Sequence, residues 1–187
     1  SRMSKSKGNG VDPMDLISMY GADAMRFNLL TLVTNNQDVK FDANIDKKTH
    51  ELIDSPRTEA ARSFVTKIWN AARFVMLNMD GYEPGEPQAS TAADAWILSR
   101  LAKLTASVTS GIEEYRFGDV ARELYAFFWN EFCDWYIEFS KARLGADADP
   151  ADRVVCQRNL VFVLGQILRL LHPIMPFVTE QVYGEMP

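Results

Sequence analysis

From Thr58 to Asn78 apolar residues recur at intervals of three, four and seven: Ala61, Phe64, Val65, Ile68, Trp69, Ala72, Val75 and Met76. That period belongs to a helix with one buried face. The pattern returns down the chain. Ser90 or Thr91 is placed to cap a helix, with Asp94 in capping-box position, that buries Trp96 or Ile97, Leu101, Leu104, Val108 and Ile112 and runs to about Tyr115. Gly118-Asp119 precedes the longest predicted helix, about Val120 to Leu144. Its aromatic stripe, Leu124, Phe127, Phe128, Phe132, Trp135, Tyr136 and Phe139, is expected to face the core. Asp149-Pro150 opens another helix that reaches Leu171, His172-Pro173 breaks it, and Met175-Pro176 starts a last one through Glu185. The Gly-, Pro- and Glu-rich stretch 80–90 is a loop. Such helices with short connections predict an all-α, antiparallel helical bundle over residues 56–187.

Residues 1–55 predict a smaller α-rich unit. Asp12 caps a helix with Pro13 in its first turn and Gly21 at its end. A second helix, Ala22 to about Val33, is expected to turn Ala22, Met25, Leu29 and Leu32 inward. Residues 37–42 alternate polar and apolar and suggest a short extended segment. The polar connector from 42 to 58 is expected to hold a short helix at His50–Ile53. Hydrophobic residues make up 47% of the 187, so a substantial core is available. No run of about 18 apolar residues predicts a membrane span. Cys133 and Cys156 are too few for a disulfide framework and predict core thiols in a reducing cytoplasm. They and the isolated His50 and His172 predict no metal site. With a net charge of −5, any RNA contact needs a local basic or aromatic face.

Two stretches carry candidate chemistry. Arg2-Met3-Ser4-Lys5-Ser6-Lys7-Gly8-Asn9-Gly10 packs cations, hydroxyls and glycines into one loop, a composition suited to a polyphosphate. On the predicted helix 58–78, about 100° per residue places Phe74 away from the core stripe, among Ser63, Thr66, Lys67 and Asn70. An exposed aromatic beside Lys67, Asn70 and Arg73 offers a base-stacking platform, unless another helix covers it.

Met3-Ser4-Lys5-Ser6 with Gly8-Asn9 resembles the KMSKS signature of class I aminoacyl-tRNA synthetases, with Arg2 where the signature has its first lysine and Lys7 where relatives usually carry Leu. Val11-Asp12-Pro13, Tyr20-Gly21-Ala22-Asp23-Ala24, Arg26-Phe27 and Gln37-Asp38-Val39-Lys40 resemble the segments C-terminal to that signature in class Ia. Trp69 to Phe74 and Glu131 to Glu138 are similar to the valyl members of the family, and Leu171 to Phe177 to the valyl, leucyl and isoleucyl members together. The resemblance implies a KMSKS-like loop and stem-contact region at 1–55 and an anticodon-binding bundle at 56–187. It implies that Lys5 acts catalytically on the triphosphate of ATP (held with Mg2+), helped by Ser4, Ser6 and Arg2. It further implies that Phe74 stacks on an anticodon base and that Lys40 reaches the anticodon region. Arg73, Asn70 and Lys67 are candidates by geometry alone, and Tyr136 and Glu138 are expected to be structural. The implied partners are a valine tRNA, and ATP and valine through a catalytic domain outside this sequence; a cytoplasmic monomer is expected.

The chain opens inside a motif and stops at Pro187 within a helical pattern, so it is expected to be a segment of a longer ligase, without the catalytic fold and editing domain and inactive alone, with no cofactor bound. The alternatives are the same region of an isoleucyl or leucyl enzyme, or a helical protein-interaction module with no RNA role.

Overall fold

The computed structural model describes residues 10–33, 41–46 and 48–187. Helix α1 spans Pro13–Tyr20 and α2 Ala22–Leu32; a short hairpin of β1 (Asn44–Ile45) and β2 (Leu52–Asp54) follows. Then come α3 (Pro56–Leu77), α4 (Ala92–Glu113) and α5 (Phe117–Ala126). A π-helix, Phe127–Tyr136, leads without a break into α6 (Ile137–Leu144), before α7 (Pro150–Leu171) and α8 (Pro176–Gly184). The fold is the expected mainly helical bundle, with one antiparallel hairpin added.

Three helix starts follow from side-chain caps. The Asp12 carboxylate accepts the Met14 N–H at 2.8 Å, and Gly21, at φ 90°, ends α1 in a conformation other residues resist. Thr91 and Asp94 close a reciprocal capping box on α4 at 3.1 and 3.0 Å. Asp149 accepts from Ala151 at 2.7 Å to open α7. His50 does not begin a helix. The Asp46 carboxylate takes the N–H groups of Lys48 and Thr49, a side-chain turn that reverses the chain and pairs β2 with β1.

α7 is the central element and packs against α3, α4, α5, α6 and α8. By length and apolarity it alone, among the described residues, matches a membrane span, yet its Leu160, Val163, Leu164, Ile167, Leu168 and Leu171 fill the bundle core. It also secures the 80–90 loop. Gln157 donates to the carbonyls of Asn78 and Asp80, and Asn159 exchanges two hydrogen bonds of 2.8 Å with the Gln88 backbone.

α2 buries a different face from the one its apolar spacing predicts. Asp23, Ala24, Phe27 and Asn28 go inside while Leu29 stays exposed. The two polar groups are buried because distant elements satisfy them. Asp23 accepts the Phe177 and Val178 N–H groups at 3.2 and 2.7 Å, capping α8, and Asn28 donates to the Thr58 hydroxyl at 2.8 Å. Beside it, Arg26 donates to the carbonyls of Ile174 and Pro173, each at 2.9 Å.

The aromatic stripe needs a larger correction. Leu124, Phe127, Phe128, Phe132 and Tyr136 are buried, but Trp135 is 57% and Phe139 49% exposed. The Ile137 N–H bonds back to the Phe132 carbonyl, five residues earlier. In an α-helix Trp135, seven residues after Phe128, would lie within about 20° of it. A helix closed by five-residue steps turns only about 80–85° per residue, which carries Trp135 toward the opposite side. The widened helix keeps the four-residue series Phe128, Phe132, Tyr136 inside and turns the seven-residue partner out.

Candidate functional site

Three of the sequence candidates share one flank of α3. Its buried stripe is Ala61, Phe64, Ile68, Ala71, Ala72 and Val75. Lys67, Asn70 and Phe74 follow the stripe's edge at three- and four-residue steps, so they stand one above another. The Lys67 ammonium lies 3.4 Å from the Asp134 carboxylate and 4.9 Å from the centre of the Trp129 ring. Lys67 is therefore engaged by the π-helix. Asn70 is exposed. Phe74 is half-buried and packs against the core. Its position between Ala71 and Asn78, both on the margin of the buried stripe, accounts for that. Asn78 also anchors this turn by donating to the Phe74 carbonyl at 2.8 Å.

Arg73 is on a different flank. With Trp69, Met76 and Leu77 it lines a cavity of about 560 Å³ closed by Gln181, Val182 and Glu185 of α8. The exposed Trp69 there is a second departure from the predicted core stripe. Arg2, Ser4, Lys5, Ser6 and Lys40 lie outside the described residues.

The sequence reading missed what braces this region. Asp94 is fully buried. Its carboxylate accepts from Tyr136 at 2.8 Å, from Arg143 at 2.9 and 3.1 Å and from Ser90 at 2.8 Å, besides its cap on Thr91. Arg143 turns its other edge to Asp152 at 2.6 and 2.8 Å. Burial pushes the Asp94 carboxyl upward, but the bonds from Tyr136, Arg143, Ser90 and Thr91 outweigh it and hold it at about 2. Burial, then Asp94, pushes the Tyr136 hydroxyl well up, so it remains a donor. Tyr136 is thus structural, and so are the buried thiols: burial pushes Cys133 up to about 12. A capping box is visible in sequence, but the long-range arginine that completes this network carries no local signal.

A second cavity, about 280 Å³, lies where α2, α3 and α5 meet, with Arg57 and Arg122 at its rim and Phe27 and Tyr125 in its wall. Arg122 is held by the Thr31 carbonyl and Asp119. Among the described residues no cluster of three or more metal-binding side chains occurs.

Residues 94–186 match the family model described as the anticodon-binding domain of tRNA ligase, and residues 1–42 match class I tRNA synthetases (I, L, M and V). The valine–tRNA ligase of Lactobacillus johnsonii is 47% identical over 190 residues, covering 100% of this chain and 20% of that protein. That of Lactiplantibacillus plantarum is 48% identical over 189 residues with the same coverage, and that of Rhodopirellula baltica 42% over 226 residues, covering 98% and 22%. The chain thus spans about a fifth of the length of these curated relatives. Among solved structures, a LeuRS–tRNA–LeuAMS ternary complex from Agrobacterium radiobacter K84 superposes with a TM-score of 0.68 at 20% identity, covering 97% of this chain and 20% of that one. Mycobacterium tuberculosis methionyl-tRNA synthetase with methionyl-adenylate gives 0.68 at 22% identity, covering 96% and 34%. At those identities the two structures speak for the fold alone.

Proposed function

The chain belongs to the valine–tRNA ligases, of which it carries the class I synthetase tail and the anticodon-binding domain, and we propose that its bundle holds the anticodon loop of a valine tRNA on the flank of α3 that carries Asn70 and Phe74. The observation that carries this reading is the match of residues 94–186 to an anticodon-binding domain, which implies tRNA binding. The shared flank of Asn70, Phe74 and Lys67 on α3, which Lys67 joins to the π-helix through Asp134, supports it. The high identity to valine enzymes favours this reading over the isoleucyl, leucyl and RNA-free alternatives.

In this reading residues 1–55 supply the KMSKS-like loop and stem contact, and residues 56–187 the anticodon-binding bundle. Phe74 stacks on an anticodon base, and Asn70 offers an amide to a base edge. Lys67 holds the π-helix in place through Asp134 and adds positive potential. Lys40 contributes to the same region. Arg73, on the α8 side, is the weakest member of the set. In the whole cytoplasmic ligase, Arg2, Ser4, Lys5 and Ser6 grip the triphosphate of Mg2+-bound ATP while valine is converted to valyl-adenylate and passed to the tRNA. Lys5 takes the charge that develops there. The catalytic fold lies outside this chain, so the fragment, a monomer, is inactive alone and meets ATP and valine only through that fold.

The test is a titration with a valine tRNA transcript at low salt, beside an anticodon-swapped transcript and Phe74→Ala. The expected result is weaker binding on both changes, the variant losing about 1–3 kcal/mol as one stacking contact does. Phe74 is half-buried, so Phe74→Leu and an unfolding curve separate lost stacking from lost packing. Equal affinity for both anticodons would refute the anticodon reading. A preserved anticodon preference in a fully folded Phe74→Ala variant would refute the residue.

A further inference from the structure

We infer that Gln157, a buried residue of α7, is a positioning residue for the anticodon contact: through Asn78 it sets the last turn of α3, and with that turn the ring of Phe74. This rests on the anticodon reading above. It adds two residues that act through Phe74 rather than on the RNA.

α3 does not end as a regular α-helix. In an α-helix each N–H bonds to the carbonyl four residues back, which would give the Phe74 carbonyl to the Asn78 N–H. Instead the Asn78 N–H turns to the Val75 carbonyl at 3.0 Å, and the Met79 N–H to the Met76 carbonyl at 3.2 Å, each three residues back. The last turn is therefore tightened. The Phe74 carbonyl takes the side-chain amide of Asn78 in place of its N–H, at 2.8 Å.

Asn78 is held in its turn. Gln157 spends both N–H groups of its amide on this exit, one on the Asn78 carbonyl at 2.7 Å and one on the Asp80 carbonyl at 2.9 Å. Two carbonyls can be met only by the amide nitrogen, so the orientation of the group is determined. Gln157 is fully buried on α7, with the fully buried Cys156 and Leu160 on the same helix. Close packing leaves such a side chain little freedom. The amide thus ties the end of α3 to the central helix of the bundle. An apolar side chain of the same length would fill the space and leave the two carbonyls unplaced.

The consequence falls on Phe74 because of where it stands. It lies three residues before the end of α3, in the turn that frays in an unanchored helix. Stacking needs the ring parallel to a base and in contact with it, and a ring on a frayed turn must be ordered at the moment of binding. That ordering is subtracted from affinity. Asn78 and Gln157 fix the turn beforehand, so the ring meets the RNA already placed.

The experiment uses the full-length ligase carrying this chain and a valine tRNA transcript, beside an anticodon-swapped one. Gln157→Met and Asn78→Ala are each made in wild type and in Phe74→Ala, and affinity is read by titration well below the melting temperature. The expected result is a loss of about three- to thirtyfold for either variant in wild type, shrinking to under about twofold in Phe74→Ala, because residues that act through one another are not additive. In aminoacylation the loss falls on KM for the tRNA rather than on kcat. A role in stability alone would lower the melting temperature and leave the affinity as it was. Asn78 is half-buried, so Asn78→Ala carries the test by itself if Gln157→Met does not fold. If Phe74→Ala weakens binding and the folded variants bind as wild type does, this inference is overturned while the anticodon reading stands. Equal losses in both backgrounds overturn it too, since the residues would then act independently of Phe74. If wild type shows no preference for the valine anticodon and Phe74→Ala changes nothing, both readings fall.

Discussion

Arg143→Met is the substitution whose cost the structure specifies most fully. The side chain is 13% exposed, and it bonds to a carboxylate, Asp94, that is not exposed at all. Methionine fills most of the same volume and removes the charge. Breaking a buried pair from one side costs about 3–5 kcal/mol, because the other ion stays buried and unpaired. Here Tyr136, Ser90 and Thr91 still donate to Asp94, which argues for the lower end, about 3 kcal/mol. The bond to Asp152, a partly exposed carboxylate, adds little. In a chain of this size the drop in melting temperature is about 6–12 °C. The pH dependence supplies an independent check. The Asp94 carboxyl is depressed in the folded protein, so its contribution, about 2 kcal/mol, is present above the ordinary value of 3.8 and lost as pH falls toward about 2. Arg143→Met raises that carboxyl, so the gap between the variant and wild type should narrow from pH 5 to about pH 2. Urea unfolding at several pH values measures it. A penalty under about 1 kcal/mol at neutral pH, or one that widens on acidification, would refute the argument.

Two further outcomes are expected. Asp23→Ala removes the carboxylate that caps α8 and should cost about 1–2 kcal/mol in urea unfolding, with Asp23→Asn recovering part of it by keeping an acceptor. Gly118→Ala places a Cβ 2.2 Å from the Val33 carbonyl oxygen, backbone against backbone, and should destabilise the chain by about 1–3 kcal/mol on thermal melting; an unchanged melting temperature would show that the start of α5 moves freely away from α2.

Helix positions were legible in the sequence because caps and apolar periods are local. Thr91 with Asp94, Asp12 with Pro13 and Asp149 with Pro150 each mark a start that the structure keeps. Which residues of a helix go inside was less legible, because that depends on partners far along the chain. Asp23 and Asn28 are buried for the sake of Phe177, Val178 and Thr58, and no spacing on α2 announces them. Trp135 and Phe139 escape a spacing argument because the angle per residue changes across a π-helix. Of the binding candidates, Lys67, Asn70 and Phe74 share a flank because three- and four-residue spacing alone sets it. Arg73, one residue from Phe74, is carried to the α8 side by the same rule. The Lys67–Asp134 pair joins elements whose contact the sequence does not encode locally.

The joint between α2 and the α8 region bears on how the chain is made. Arg26 bonds to a carbonyl 148 positions later, and Asp23 to an N–H 155 positions later. A ribosome adding about 5–20 residues per second needs roughly 7–30 s to supply those partners. Throughout that interval α2 carries an aspartate and an arginine with their destined contacts not yet synthesised, so the first helices can dock only provisionally. Native closure of the bundle therefore waits for the α8 region to be made, and a ribosome stalled before Ile174 should hold a nascent chain whose α2 remains open to protease.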